Sequence, residues 1–300
     1  MNIILTGLPL FAKRLCDELS SFDKENNYFF YNTYYSRKDR FKFIFKLFFA
    51  DIIISLNGVS DQSGSMNWVL RFRKKLIFLW QGTDVMLALE RYKDNSILTK
   101  YINYASHYTD ATWLADELSG INISAGLLHF KSIVMSVNPE KFDEINAYSY
   151  VPTGKEYFYG LDKLLKAFKK LPDIKLFIYG TDGVGFENID NVFYKGWMPS
   201  ADYKKEISNH SIFIRLTEHD GYSMSVLEAL GNGSEVIWNH PLENCHYVAG
   251  DHDDLLHKMN EIKSLFNKRN LARNHEGEIW VRQHLSPEKI LRNFIDRITH

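Results

Sequence analysis

Short apolar runs alternate with amphipathic stretches along the whole chain. Residues 2–6, 28–31, 51–56 and 75–80 are dense in Ile, Leu, Phe and Tyr, and DIIISL at 51–56 reads as a strand buried on both faces. Between the first two runs, residues 12–21 put Leu15 and Leu19 on one side of a helix. Further strands are expected at 111–113 and 132–137, with a helix over 115–118. In the second half, strands are expected at 148–152, 174–179, 191–194, 212–216 and 235–238. Helices are expected at 160–170, where Leu161, Leu164, Leu165 and Phe168 share a side, and at 224–230 and 252–266. Strand and helix in alternation predict an α/β protein. A chain of 300 residues can bury two cores, and the polar, irregular residues 142–148 place the boundary between domains at 1–145 and 146–284.

The stretch 211–238, SIFIRLTEHDGYSMSVLEALGNGSEVIW, carries the chemistry. It reads as strand, polar loop, helix, glycine stop and strand. A loop at the carboxyl end of a parallel strand is where ligands sit in such sheets, and the following helix offers unpaired N–H groups with a positive dipole end. Gly221 permits close backbone approach, so a diphosphate is expected over Gly221, Tyr222 and Ser223, at the helix start marked by Met224. Asp220 and Glu228 flank that spot, on the order of 10 Å apart along a helix. Carboxylates repel phosphate but accept from hydroxyls, which a nucleotide sugar carries at both ends. The bland alternative is that Asp220 caps the helix and Glu228 is a solvated helix residue.

Asp220 and Glu228, separated by seven residues within DGYSMSVLEAL and followed by NGSEVI, resemble the paired-acid motif of retaining nucleotide-sugar glycosyltransferases of family 4. The resemblance implies the GT-B architecture, two Rossmann-like domains facing a cleft, with the acceptor on the first and the donor on the second. It implies that Asp220 meets the donor sugar, with Glu218 as the substitute acid, and that Glu228 binds the ribose diol. The last helix, after Pro287, is expected to cross back to the first domain, joining 285–300 to it. The regions of Gly180 and Trp197 would hold the nucleobase, with Trp197 or Met198 beside its ring, although Trp197 is equally suited to a core. Gly7, in the first strand-to-helix turn, would contact the ligand. Where the family places an Arg and a Lys to neutralise the diphosphate, this chain has Thr153 and the pair Tyr159 and Gly160, so Lys155 is nominated as the nearby cation. In WQGTDV, Asp84 either binds an acceptor hydroxyl or caps the helix that follows.

Residues 36–49, SRKDRFKFIFKLFF, put Phe41, Ile44, Phe45, Phe48 and Phe49 on one side of a helix and Lys38, Lys42 and Lys46 on another. Such a helix either packs its aromatic face on the sheet or lies in the interface of an anionic membrane. The balance of 36 basic against 37 acidic residues gives no reason to expect nucleic acid. Two cysteines, Cys16 and Cys245, form no disulfide framework or metal spacing, and the acids Asp251, Asp253 and Asp254 read as helix caps. No metal or cofactor is expected beyond the nucleotide-sugar co-substrate. The expected enzyme is cytoplasmic, peripheral on the inner face of the membrane, and acts on a glycan or lipid-linked acceptor in surface polysaccharide assembly. A sugar epimerase of the same fold and a glycosyltransferase-like subunit that has lost activity are the alternatives.

Overall fold

The computed structural model describes residues 1–58 and 64–299, so most of the loop expected at 57–64 lies outside the described residues. The chain divides into two compact units.

The first unit comprises the described residues up to Ser132, the short segment 219–222 and the last helix. In chain order it contains β1 (Asn2–Gly7), α1 (Pro9–Phe22), β2 (Asn27–Phe30), α2 (Arg37–Leu47), β3 (Ile52–Leu56), α3 (Ser65–Arg71) and β4 (Lys75–Trp80). Then follow α4 (Thr83–Lys93), α5 (Thr99–Ile102), β5 (Ser106–Thr109), α6 (Thr112–Ser119) and β6 (Gly126–Leu127). Its parallel sheet has the order β2-β1-β3-β4-β5-β6. Every residue of β3 is buried, as an uninterrupted IIISL run requires. One face of the sheet closes over Leu15 and Leu19 of α1 together with Leu291, Phe294 and Ile298.

The second unit spans 133–218 and 223–286. It holds β7 (Asn146–Tyr150), α7 (Leu161–Phe168), β8 (Lys175–Tyr179), β9 (Val192–Gly196), α8 (Ser200–Ile207) and β10 (Ile212–Arg215). It continues through α9 (Met224–Gly231), β11 (Glu235–Trp238), β12 (Cys245–Tyr247), α10 (His252–Arg269) and α11 (His275–His284). The final helix, α12 (Pro287–Thr299), belongs to the first unit. The strand order is β12-β11-β10-β7-β8-β9, all parallel, so the winding direction reverses between β7 and β10. The carboxyl ends of strands at such a reversal are where open α/β sheets bind ligands. Both units are thus doubly wound, and α/β class holds throughout.

Four expectations differ from the structure. The unit boundary falls at Ser132 and Ile133, earlier than 145/146, because 133–145 already packs with the second unit; the Ile133 N–H, for example, bonds to the Leu285 carbonyl. Residues 132–137 form no strand, and Val134 and Val137 are exposed. The strand placed at 111–113 lies instead at Ser106–Thr109, where a polar sequence pairs with β4. In α2 the buried residues are Phe43 and Leu47 rather than the predicted aromatic stripe.

Candidate functional site

In the second unit, side chains with polar chemistry gather at the reversal between β7 and β10. Their register puts Ile212 opposite Ala147 and Phe213 opposite Tyr148. Continuing it brings Arg215, the last residue of β10, level with Tyr150, the last of β7. The Arg215 guanidinium lies 5.1 Å from the Tyr159 ring, a cation-π distance. Its Nη1 donates to Ser225 Oγ at 3.3 Å, in the first turn of α9. Ser225 Oγ is in turn 3.1 Å from Ser223 Oγ. Ser223 is the N-cap residue of α9, yet its side chain caps no N–H, so the positive end of the helix is not closed off by its own cap.

One turn along α9, Glu228 is partly buried, 18% exposed, with Oε1 3.7 Å from Lys204 Nζ. The Tyr148 and Tyr203 hydroxyls are buried and make no hydrogen bond among the described residues. Burial drives the Tyr203 phenol well above its usual range, and the Glu228 charge adds to this. For Tyr148, burial again dominates, with Tyr203 and then Glu228 behind it. Both phenols therefore stay neutral. Their unused donors and the Glu228 acceptor form a polar group one helical turn from the Arg215 and serine cluster, a layout suited to a ligand with an anionic part and a hydroxylated part.

The surrounding loops are fixed by close backbone contacts. Gly160, at φ +70°, precedes α7, and a Cβ there would lie 2.6 Å from the Leu216 carbonyl oxygen. Gly180, at φ +98°, has the same role against the Val151 carbonyl, and its own carbonyl accepts from Thr153 N and Oγ1. Glu156 accepts from Gly154 N and Thr181 Oγ1, and the bond from its own backbone N–H, followed by these two, holds its carboxyl below the usual range. Lys155 sits exposed on this turn, and its ammonium makes no ion pair among the described residues. Trp197 is 76% exposed, which removes the core alternative for it, and Met198 beside it is partly exposed. Asp251 caps α10 by accepting from Asp253 N and Asp254 N.

Other nominated residues belong to the first unit. There Tyr222 is buried, its N–H donates to Asp110 Oδ1 at 3.3 Å, and its carbonyl accepts from Lys131 Nζ at 2.7 Å. The Gly221 N–H is turned onto Asp220 Oδ1 at 3.0 Å, and the Asp220 carbonyl accepts from Trp113 Nε1 at 2.8 Å. A Cβ on Gly221 would fall 2.0 Å from the Gln81 carbonyl oxygen. Gly221 and Tyr222 thus bring the chain close to itself. Gly7, at φ +101°, likewise makes room for β3, whose Leu56 backbone would be 2.7 Å from a Cβ. Asp84 is buried and accepts from the N–H groups of Gly58, Gln81, Gly82 and Val85. It is the clasp of its own loop. Glu218 is exposed in the second unit, its N–H bonded to the Phe158 carbonyl.

Arg215 is the functional candidate that sequence reasoning passed over. A cation ending IFIR, a strand whose other three residues are fully buried, was the available signal.

No family model matches the chain, and no curated protein sequence matches it. Solved structures do match. The sucrose-phosphate synthase from Thermosynechococcus elongatus superposes with a TM-score of 0.68 at 14% identity, over 99% of this chain and 98% of that one. The lipopolysaccharide outer core galactosyltransferase WaaB does so with 0.65 at 17% identity, over 100% and 99%. The pneumococcal O-GlcNAc transferase GtfA, solved with UDP and GlcNAc, matches with 0.59 at 14% identity, over 83% of this chain but 56% of its own, so this chain spans little more than half its length. The fold is therefore that of the GT-B glycosyltransferases.

Proposed function

We propose that this protein transfers a sugar from a nucleoside-diphosphate donor to a glycan or lipid-linked acceptor, with retention of configuration and without a metal, in the assembly of a surface polysaccharide. The observation that carries the reading is the gathering, at the β7/β10 reversal, of Arg215, the uncapped start of α9 and Glu228. In this reading the second unit holds the donor. Arg215 and the α9 N–H groups face the diphosphate, and Glu228 accepts from the ribose hydroxyls. Gly180, Trp197 and Met198 lie toward the nucleobase. Lys155 becomes a secondary cation on a mobile-length side chain, since Arg215 is better anchored by Tyr159 and Ser225.

As the bond from the sugar anomeric carbon to the diphosphate oxygen breaks, its electron pair leaves with the diphosphate. Arg215 and the helix dipole stabilise that growing charge. The acceptor hydroxyl forms the new bond on the same face, and its proton passes to the departing phosphate oxygen. Asp220, with Glu218 as substitute, is assigned to positioning the donor sugar.

A thermal-shift screen of UDP, GDP, ADP and their sugars tests the donor site, because a ligand of the native state raises the melting temperature. A shift with at least one, lost in Glu228→Ala, is expected; no shift with any would sink the reading. Incubating the positive nucleotide sugar alone then separates chemistries, since an epimer as product would replace transfer by epimerisation.

A further inference from the structure

The geometry points to a lipid-docking surface on the first unit, formed by α2 and α3 and directed at anionic bilayers. On α2, Phe43 and Leu47 occupy the buried side. Phe41, Phe45 and Phe48, at helical steps of four and three, run along another side with Phe49 beyond them, and all four are 59% to 69% exposed. Single exposed apolar residues are ordinary, whereas a contiguous aromatic stripe marks an interaction surface. The stripe continues onto α3: the Phe48 ring is 4.6 Å from that of Phe72, which stacks on Trp68, itself 39% exposed.

Charge selects the occupant. Residues 36–49 carry Arg37, Lys38, Arg40, Lys42 and Lys46 against Asp39 alone, and residues 64–75 add Arg71, Arg73, Lys74 and Lys75 with no acid. The net charge of the whole chain is −1, so this basicity is local. Lys38 and Lys42 are exposed one helical turn apart, and the Arg71 guanidinium lies 6.0 Å from the Trp68 ring. Aromatic side chains flanked by flexible cations suit an interface of acyl chains beneath anionic headgroups. A second copy of the same face would bring like charges together. Among the described residues no helix is long and apolar enough to cross a membrane, so the contact is peripheral. The docking is independent of the sugar-transfer reading, because it is measured without any nucleotide or acceptor.

The test is flotation of the full chain with vesicles of phosphatidylcholine alone or mixed with anionic phosphatidylglycerol, over a range of salt. Binding to the anionic vesicles, weakening as salt rises, is expected. Lys38→Glu with Lys42→Glu should lower it by on the order of ten-fold or more. Phe41→Ser with Phe45→Ser should abolish it, with the melting temperature held because both rings are already solvated. Wild-type protein that stays unbound with anionic vesicles, or variants that bind as it does, would overturn the proposal. So would light scattering that shows a wild-type dimer broken by the Phe variant while vesicle binding is absent, which would give the face to a second copy.

Discussion

Lys131 Nζ lies 2.6 Å from Asp110 Oδ2, and both side chains are buried in the first unit. The pair also holds the backbone of Tyr222, Lys131 donating to its carbonyl and Asp110 accepting from its N–H. A buried charge is tolerable only while paired, so Lys131→Met should cost about 3–5 kcal/mol. Adding Asp110→Leu should recover much of that loss. Urea unfolding of the single and double variants measures both, and a single-variant loss below about 1 kcal/mol would show that Asp110 finds another way to be satisfied.

Arg215 and Glu228 should separate by ligand. Losing a charged hydrogen bond costs about 1.5–3 kcal/mol, roughly 10- to 100-fold in affinity. Arg215→Met should therefore weaken both the nucleoside diphosphate and inorganic pyrophosphate. Glu228→Gln should weaken the nucleoside diphosphate and leave pyrophosphate unchanged. Calorimetry with the two ligands reads the difference, and equal effects of both substitutions would reject the division of roles.

Gly221→Ala tests whether that glycine serves packing or ligand approach. With a Cβ placed 2.0 Å from the Gln81 carbonyl oxygen, the backbone must shift. The expected cost is about 1–3 kcal/mol, seen as a lower melting temperature without any ligand. Unchanged stability with lost nucleotide binding would favour the phosphate-approach reading.

His210 should make stability depend on pH. It is buried, its Nε2 lies 2.6 Å from the Tyr179 hydroxyl and its Nδ1 3.2 Å from Asn146 Oδ1. Burial, with Lys195 adding to it, lowers its pKa to about 4. Because the folded value lies below the unfolded one, the contribution is complete above about pH 6.5 and is lost as pH falls toward 4. The loss is on the order of 3 kcal/mol. Unfolding free energies across that window should slope downward toward acid, and His210→Gln should flatten the slope. An unchanged slope in the variant would assign it to other groups.

The strands were legible because a parallel strand covered on both faces has to be apolar along its length. β4 and β11 accordingly end where their apolar runs do and begin one charged residue, Lys75 or Glu235, ahead of them. β5 was misplaced because Ser106–Thr109 is mostly partly exposed, so its sequence carries no such run. The paired acids Asp220 and Glu228 were visible as a spacing, but spacing says nothing of which compact unit each side chain joins. Residues 219–222 group with the first unit and Glu228 with the second. Likewise, residue periodicity established that α2 has an aromatic side and a basic side. Which side became covered was decided by packing against other segments: α2 lies against α3, the Phe43 ring meets that of Tyr31, and the covered residues are Phe43 and Leu47. Arg215 shows the same division: its place at a strand end was written in IFIR, whereas its partners Tyr159 and Ser225 come from other segments. Local sequence fixes the period and face of each element through backbone geometry and burial. Only packing between distant segments determines which faces, N–H groups and charges remain open for chemistry.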